Sequence, residues 1–176
     1  MIPVKIKRLH PDAVIPQYAT TGSAGFDIVA VEDVAISPGE TIKVPLGLAF
    51  EIPEGFVMLV CMRSGIAYNT TLRQPNGIGI IDSDYRGEVA MMFDNIALQS
   101  FDRDPSQTID NRAVFGTMGP SGTYLIRKGD RVAQGLILPV MQAQFIVSDE
   151  LSETERGAGG FGSTGVSEQW QKRKCP

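Results

Sequence analysis

Three stretches of the sequence carry side chains suited to phosphate and base chemistry. The first, Arg63-Ser64-Gly65-Ile66-Ala67, follows an apolar run and opens a helix. A guanidinium, a hydroxyl and exposed backbone N–H groups at a helix start are what a phosphate requires. Ser64 as a plain helix cap and Arg63 as a surface ion-pair partner explain the same residues without a ligand. The second stretch, Asn76-Gly77-Ile78-Gly79-Ile80-Ile81-Asp82-Ser83-Asp84-Tyr85-Arg86-Gly87, places an acidic turn between two strand-like runs. Backbone groups there can read the edge of a base as a neighbouring strand would, and the Tyr85 ring can stack on a sugar. Asp82 comes directly after an apolar run, so a rigidly held carboxylate is available to orient and deprotonate water. The bland alternative is an Asx-type turn of Asp82 and Asp84, with Tyr85 closing the core.

The third stretch, Arg156-Gly157-Ala158-Gly159-Gly160-Phe161-Gly162-Ser163-Thr164-Gly165, combines flexible glycines with one arginine, one ring and two hydroxyls. Its amides can wrap phosphates, Phe161 can stack over a base and Arg156 can neutralise phosphate charge. A P-loop is excluded, because Ser163 stands where the Walker lysine belongs and no strand-to-helix context surrounds it. A flexible linker is the alternative.

The composition narrows the chemistry further. A length of 176 residues with 43% hydrophobic and 20% charged residues fits one globular domain with a continuous core. A net charge of −4 argues against a general nucleic-acid surface. The single His10 and the distant pair Cys61 and Cys175 make neither a histidine-pair mechanism nor a zinc site. Catalysis therefore falls to carboxylates, amides, arginines or a bound ion. Two isolated cysteines suggest free thiols and a reducing cytoplasm. The first seven residues, Met1-Ile2-Pro3-Val4-Lys5-Ile6-Lys7, alternate apolar and basic types, unlike a secretory signal, and no apolar stretch is long enough to span a bilayer.

Short apolar runs must position these residues. Strands are expected over Val4–Leu9, Phe26–Val31, Thr41–Val44, Leu46–Ile52, Phe56–Met62, Ile78–Ile81, Val89–Phe93 and Arg131–Val140. Several alternate with period two, and turns such as Ser37-Pro38-Gly39-Glu40 and Pro53-Glu54-Gly55 separate them. The expectation is an antiparallel sandwich, barrel or jelly roll, with one short helix over Gly65–Leu72. Residues from Leu98 to Thr123 are polar and read as an inserted loop or hairpin excursion, and Val166–Pro176 as a charged mobile tail.

The order of the motifs carries more than any one of them. Ala24-Gly25-Phe26-Asp27-Ile28-Val29-Ala30, the Arg63 stretch, the Asn76–Gly87 stretch, Gly129-Asp130-Arg131-Val132-Ala133-Gln134 and the Arg156 loop resemble the five ordered motifs of trimeric dUTPases, over roughly residues 4 to 165. The resemblance implies an all-β, jelly-roll-like β barrel occupying residues 1–155, an active-site arm at 156–165 and a tail at 166–176. It implies a homotrimer whose active sites draw on more than one chain, and hydrolysis of dUTP to dUMP and pyrophosphate with Mg2+. Asp82 would be catalytic, positioning the water that attacks the α-phosphorus. Tyr85 would pack on the deoxyribose and leave no room for a 2′-hydroxyl. Ile80 and Ile81 would recognise uracil through backbone groups, with Asn76 supporting the pocket. Arg63, Ser64, Gly65 and Gln134 would bind phosphates, while magnesium is held mainly by phosphate oxygens and water. Arg156, Phe161, Gly162, Ser163 and Thr164 would close over the nucleotide, and Asp27 would support the site.

Two departures from the family pattern stand out: Met62 occupies a position usually filled by proline, and the Leu98–Thr123 insertion is long. The insertion reads either as a protein-partner surface or as an idiosyncratic excursion. A dCTP deaminase of the same superfamily would share the fold and the Arg63-Ser64 site. Tyr85, Gly65 in place of a second serine, and the intact Arg156 loop favour dUTP hydrolysis over deamination. A trimer that chiefly binds and regulates a protein is the competing class.

Overall fold

Alternating apolar runs become strands, and period two decides which side chains meet the core. The computed structural model describes residues 1–98, 105–115 and 119–163. The first half contains β1 (Lys5–Arg8), β2 (Phe26–Val29), β3 (Val34–Ile36), β4 (Thr41–Glu51), β5 (Phe56–Met62), the helix α1 (Ser64–Asn69), β6 (Leu72–Arg73) and β7 (Gly79–Ile81). There follow β8 (Val89–Asn95), β9 (Ser106–Thr108), β10 (Ala113–Val114), β11 (Tyr124–Ile126) and β12 (Arg131–Pro139). They form three four-stranded sheets with orders β1-β4-β8-β6, β10-β9-β11-β3 and β2-β12-β5-β7. The all-β, jelly-roll-like expectation holds. Closure into a barrel does not: among the described residues the ladders end at free edges, so the architecture is three open sheets around one core.

That core takes alternate residues from each strand. Val44, Leu46 and Leu48 of β4, Met91 and Phe93 of β8, Met58 and Val60 of β5, and Ile28 of β2 are all essentially inaccessible. Each such side chain contributes about 1.5–3 kcal/mol by leaving water. Asn95 is a polar exception at 0% exposure. Its Nδ2 donates to the carbonyls of Ile36 and Gly122, and its Oδ1 accepts from Thr71 Oγ1 and the Ala97 amide. One fully satisfied amide thus ties β3, β8 and the approaches to β6 and β11 together, at a site where an unpaired group would cost heavily.

Two expected elements are corrected. The separate strands over Thr41–Val44 and Leu46–Ile52 are one strand, β4, whose register against β8 shifts between Pro45 and Leu48. Pro45 cannot donate to the ladder, and Gly47 at φ 66° takes up the irregularity. A Cβ at Gly47 would lie 2.8 Å from Val31 Cγ1, so nothing larger fits. The helix also stops earlier than Leu72. Thr70 caps it, its amide and hydroxyl both donating to the Ile66 carbonyl at 3.0 and 2.7 Å, and Leu72 is instead a fully buried residue of β6.

The chain divides into two compact units, Met1–Met141 and a second beginning at Gln142. All the sheets belong to the first. Part of the Leu98–Thr123 segment is ordered within it as the β9–β10 hairpin, which joins β11 through a parallel pairing. At its turn, the Thr108 hydroxyl donates to the Asp110 carboxylate and holds that carboxyl below its ordinary value, helped by Arg112. Residues 142–163 contain no helix or strand. Among the described residues no helix is long and apolar enough to cross a membrane.

Candidate functional site

The sheet β2-β12-β5-β7 assembles a charged face by register. Gln134 of β12 pairs with Asp27 of β2 on one side and Cys61 of β5 on the other. Paired residues share a face. Their sequence neighbours Ile28 and Ala133 are buried, so period two turns Asp27 and Gln134 away from the core. Asp27 then collects three donors. Its Oδ1 accepts from Arg63 Nε at 3.1 Å and Gln134 Nε2 at 3.3 Å, and its Oδ2 from Arg131 Nη1 at 3.2 Å. Arg63 also reaches the Arg131 carbonyl at 3.3 Å. Two guanidiniums against one carboxylate leave this face with an excess of positive charge suited to an oxyanion.

Arg131 was not singled out by the sequence. Residues 131 and 134 differ by an odd number, so a regular strand would send them to opposite faces. The register of β12 against β2 shifts between Arg131 and Ala133, and that irregularity brings both side chains to Asp27. Gln74 was missed too. Its Oε1 accepts from the Met62 amide at 2.9 Å and its Nε2 donates to the Val60 carbonyl at 3.0 Å. A side-chain amide thereby continues the edge ladder of β5 beyond Gly79 and fixes the backbone just before Arg63.

Arg63 is the N-cap of α1, with φ −70° and ψ 138° and no side-chain cap bond. The Ser64 hydroxyl is therefore not spent on capping, and Ser64 is exposed. The amides of Ser64 and Gly65 belong to the first turn, where no intrahelical acceptor exists. A Cβ at Gly65 would meet nothing within 4 Å, so packing does not demand a glycine there. Its bare backbone leaves an open approach.

The Asn76–Gly87 stretch forms a different surface. Among the described residues β7 pairs only with β5, opposing Gly79 to Val60, Ile80 to Leu59 and Ile81 to Met58, and is the last strand of its sheet. Its outer edge keeps unpaired amides and carbonyls, the arrangement a base edge can pair with. Asn76 sits in the turn leading into it, its carbonyl accepting from the Ile78 amide at 2.7 Å. Directly after β7, Asp82 begins a turn closed by the Tyr85 amide donating to the Asp82 carbonyl at 3.2 Å. Asp82 is exposed, and among the described residues no hydrogen bond or ion pair engages its carboxylate. Tyr85 does not close the core: its ring is 44% exposed, and its hydroxyl donates to the Glu88 carbonyl at 3.0 Å.

The register also separates two groups within one chain. Ile81 opposes Met58, whereas Arg63 lies five positions further along the same chain, roughly 16 Å at about 3.3 Å per residue. Arg63, Gln134, Asp27 and Arg131 come together; Asp82 and Tyr85 stand apart from them.

In the second unit, Arg156 Nε donates to the Gly159 carbonyl at 2.8 Å, and the Gly157 amide to the Thr154 carbonyl at 3.0 Å. The Ser163 amide donates to the Gly160 carbonyl at 3.0 Å. Gly157 and Gly162 adopt φ 50° and 89°, and Phe161, at φ 49°, is fully exposed. Thr164 lies outside the described residues.

Comparison with known proteins follows the same lines. The dUTPase family model matches residues 12–109 and 120–165. A deoxyuridine 5′-triphosphate nucleotidohydrolase of Nautilia profundicola is 43% identical over 162 residues, covering 92% of this chain and 98% of the relative. The structure of the Staphylococcus bacteriophage 80alpha dUTPase with dUpNHpp superposes with a TM-score of 0.88 at 32% identity, over 94% of this chain and all of that one. It is described in connection with phage dUTPases that control transfer of virulence genes. A variant dUTPase from Staphylococcus aureus phage phi11, described for its coordination of a structural Mg(II) ion, has a TM-score of 0.80 at 28% identity, over 86% of this chain and all of that one.

Proposed function

Since this chain belongs to the dUTPase family, we propose that it hydrolyses dUTP to dUMP and pyrophosphate, limiting uracil in DNA and supplying dUMP for thymidylate synthesis. The observation that carries the mechanism is the Asp82 carboxylate, exposed and unengaged at the end of an edge strand. In this reading Asp82 accepts a proton from water and aims its oxygen at the α-phosphorus, and pyrophosphate leaves as dUMP forms. The free edge of β7 supports uracil recognition by backbone groups of Ile80 and Ile81, with Asn76 bracing the turn. Tyr85 lies against the deoxyribose. Arg63, Ser64, Gly65 and Gln134 take the phosphate oxygens, joined by Arg131, and Asp27 holds the two guanidiniums and the amide in place.

Magnesium belongs to the same proposal, with triphosphate oxygens and water as its main ligands. Among the described residues no three His, Cys, Asp or Glu side chains could form a cage of their own. The donor set that faces the phosphates consists of guanidiniums, a hydroxyl and amides, which bind the anion and leave its remaining oxygens to a hard cation. When bound, magnesium neutralises phosphate charge. The arm residues Arg156, Phe161, Gly162, Ser163 and Thr164 close over the nucleotide and exclude bulk water.

The proposal includes a homotrimer, and the separation along β5 supports sites shared between copies. A nucleotide that engages Asp82 of one chain draws its Arg63 contacts from another copy, so the sites form between chains. A cytoplasmic location accords with the unpaired Cys61 thiol. A protein partner at the insertion is a second role, supported by β10 standing at the edge of its sheet beside Phe115, which is 82% exposed.

Pyrophosphate release with magnesium from dUTP, set beside dCTP, dTTP and UTP, tests the reading. Selective release from dUTP is expected. Ammonia from dCTP would instead mean deamination, and no release from any of the four would leave only the protein-binding role.

A further inference from the structure

We infer that Gly87 is a specificity-determining positioning residue, because the absence of its side chain sets the pose of the Tyr85 ring against the sugar. The inference rests on the role proposed for Tyr85 above. A Cβ at Gly87 would lie 2.3 Å from Tyr85 Oη, 2.6 Å from Cζ and 3.0 Å from Cε2. Unbonded carbons sit at about 3.5–4.0 Å, so the hydroxyl end of the Tyr85 ring occupies space that a side chain at 87 would fill.

The rest of the turn locks the ring over that gap. Tyr85 Oη donates to the Glu88 carbonyl at 3.0 Å. Glu88 is itself anchored, its Oε1 accepting from the Gly47 amide at 2.9 Å in the irregular part of β4. Arg86 Nη1 spans the Ser83 and Tyr85 carbonyls at 2.6 and 2.9 Å. Since the ring is 44% exposed, core packing does not fix it; the contact with Gly87 and the hydroxyl tether do.

Backbone conformation gives no reason for a glycine here, because Gly87 is not among the residues with positive φ. The atoms in the way belong to the far end of one side chain. Alanine at 87 is therefore compatible with the fold and incompatible with the present ring pose. A displaced ring no longer fills the space of a ribose 2′-hydroxyl, so sugar discrimination falls while the sheet that carries Asp82 persists.

The test is the ratio of kcat/KM for dUTP to that for UTP in the wild type, Gly87→Ala, Tyr85→Ala and the double variant, with a thermal melt of each. Gly87→Ala is expected to melt within a few degrees of the wild type and to lower the ratio by about tenfold or more. The double variant is expected to match Tyr85→Ala, because a residue acting through the ring has no effect once the ring is gone. A wild-type ratio in Gly87→Ala, or the same further loss in the Tyr85→Ala background, would overturn the inference. An unfolded Gly87→Ala protein would overturn it too, by showing that more than the ring tip stands in the way. If Tyr85→Ala itself keeps the wild-type ratio, the role proposed for Tyr85 fails and this inference with it. Loss of selectivity in Tyr85→Ala beside an intact Gly87→Ala isolates the failure to Gly87.

Discussion

Asp27, within β2, and Asp82, just after β7, are carried by the two edge strands of one sheet, yet their surroundings are opposite. Asp27 lies mid-strand on a sheet face, and its oxygens are taken by Arg63, Arg131 and Gln134. Asp82 lies just past the end of an edge strand, and no described residue engages its carboxylate. A carboxylate already saturated with donors organises other groups; one left free can accept a proton from water. Both strands are sheet edges, so pairing separates the two roles: Asp27 lies within the paired length of β2, opposite Gln134 of β12, whereas Asp82 lies past the last paired residue of β7.

The contrast breaks most readily at Asp82. Replacing it with asparagine keeps the volume and removes the base, so kcat is expected to fall about 10³-fold while a non-hydrolysable dUTP analogue still binds within a few-fold of the wild-type Kd. Wild-type turnover in Asp82→Asn would erase the distinction. Removing the chain from Arg156 onward comes next. It is expected to cost about 10²-fold in kcat through lost closure, with the circular dichroism of the β core unchanged. Loss of that spectrum would make the segment structural.

Asp27→Asn sharpens the comparison because two effects oppose. The face gains positive charge, which favours phosphate, but both guanidiniums lose their ionic anchor. The anchor is expected to dominate, raising KM several-fold, about 1 kcal/mol, with kcat little changed. A lower KM would show that charge outweighs positioning. The smallest effect on turnover is expected for Gln74→Ala. Losing its two bonds to the β5 backbone should cost about 1–2 kcal/mol of stability and a few degrees in Tm, while kcat stays within about threefold. An unchanged melting temperature would mean that water replaces the Gln74 amide at no cost.

Much of this arrangement was legible in the sequence. Period-two apolar runs and Gly/Pro punctuation placed β2, β5, β8 and β12, since those strands bury one face, and the apolar run Ile78–Ile81 placed β7. Short or polar strands were invisible: β3 and β11 have three residues each, β9 is Ser-Gln-Thr, and β6 is a single pair. Their place is decided by neighbours and by the buried Asn95 amide, not by local pattern. The same limit applies in the site. Asp82 stands out because it follows an apolar run directly, and Tyr85 because it is the ring of the turn that comes next. Arg131 reaches Asp27 only through a register irregularity, and Gln74 reaches β5 only by substituting a side chain for a strand. Neither leaves a trace in residue spacing. Barrel closure was over-read because alternation fixes which face is buried and says nothing of which edges meet.

Hydrolysis of dUTP in oxygen-18 water, with the products separated and weighed by mass spectrometry, tests the central claim most directly. Attack on the α-phosphorus by a water that Asp82 activates predicts one heavy oxygen in dUMP and none in pyrophosphate. Label in pyrophosphate instead would place the attack on the β-phosphorus and contradict the account.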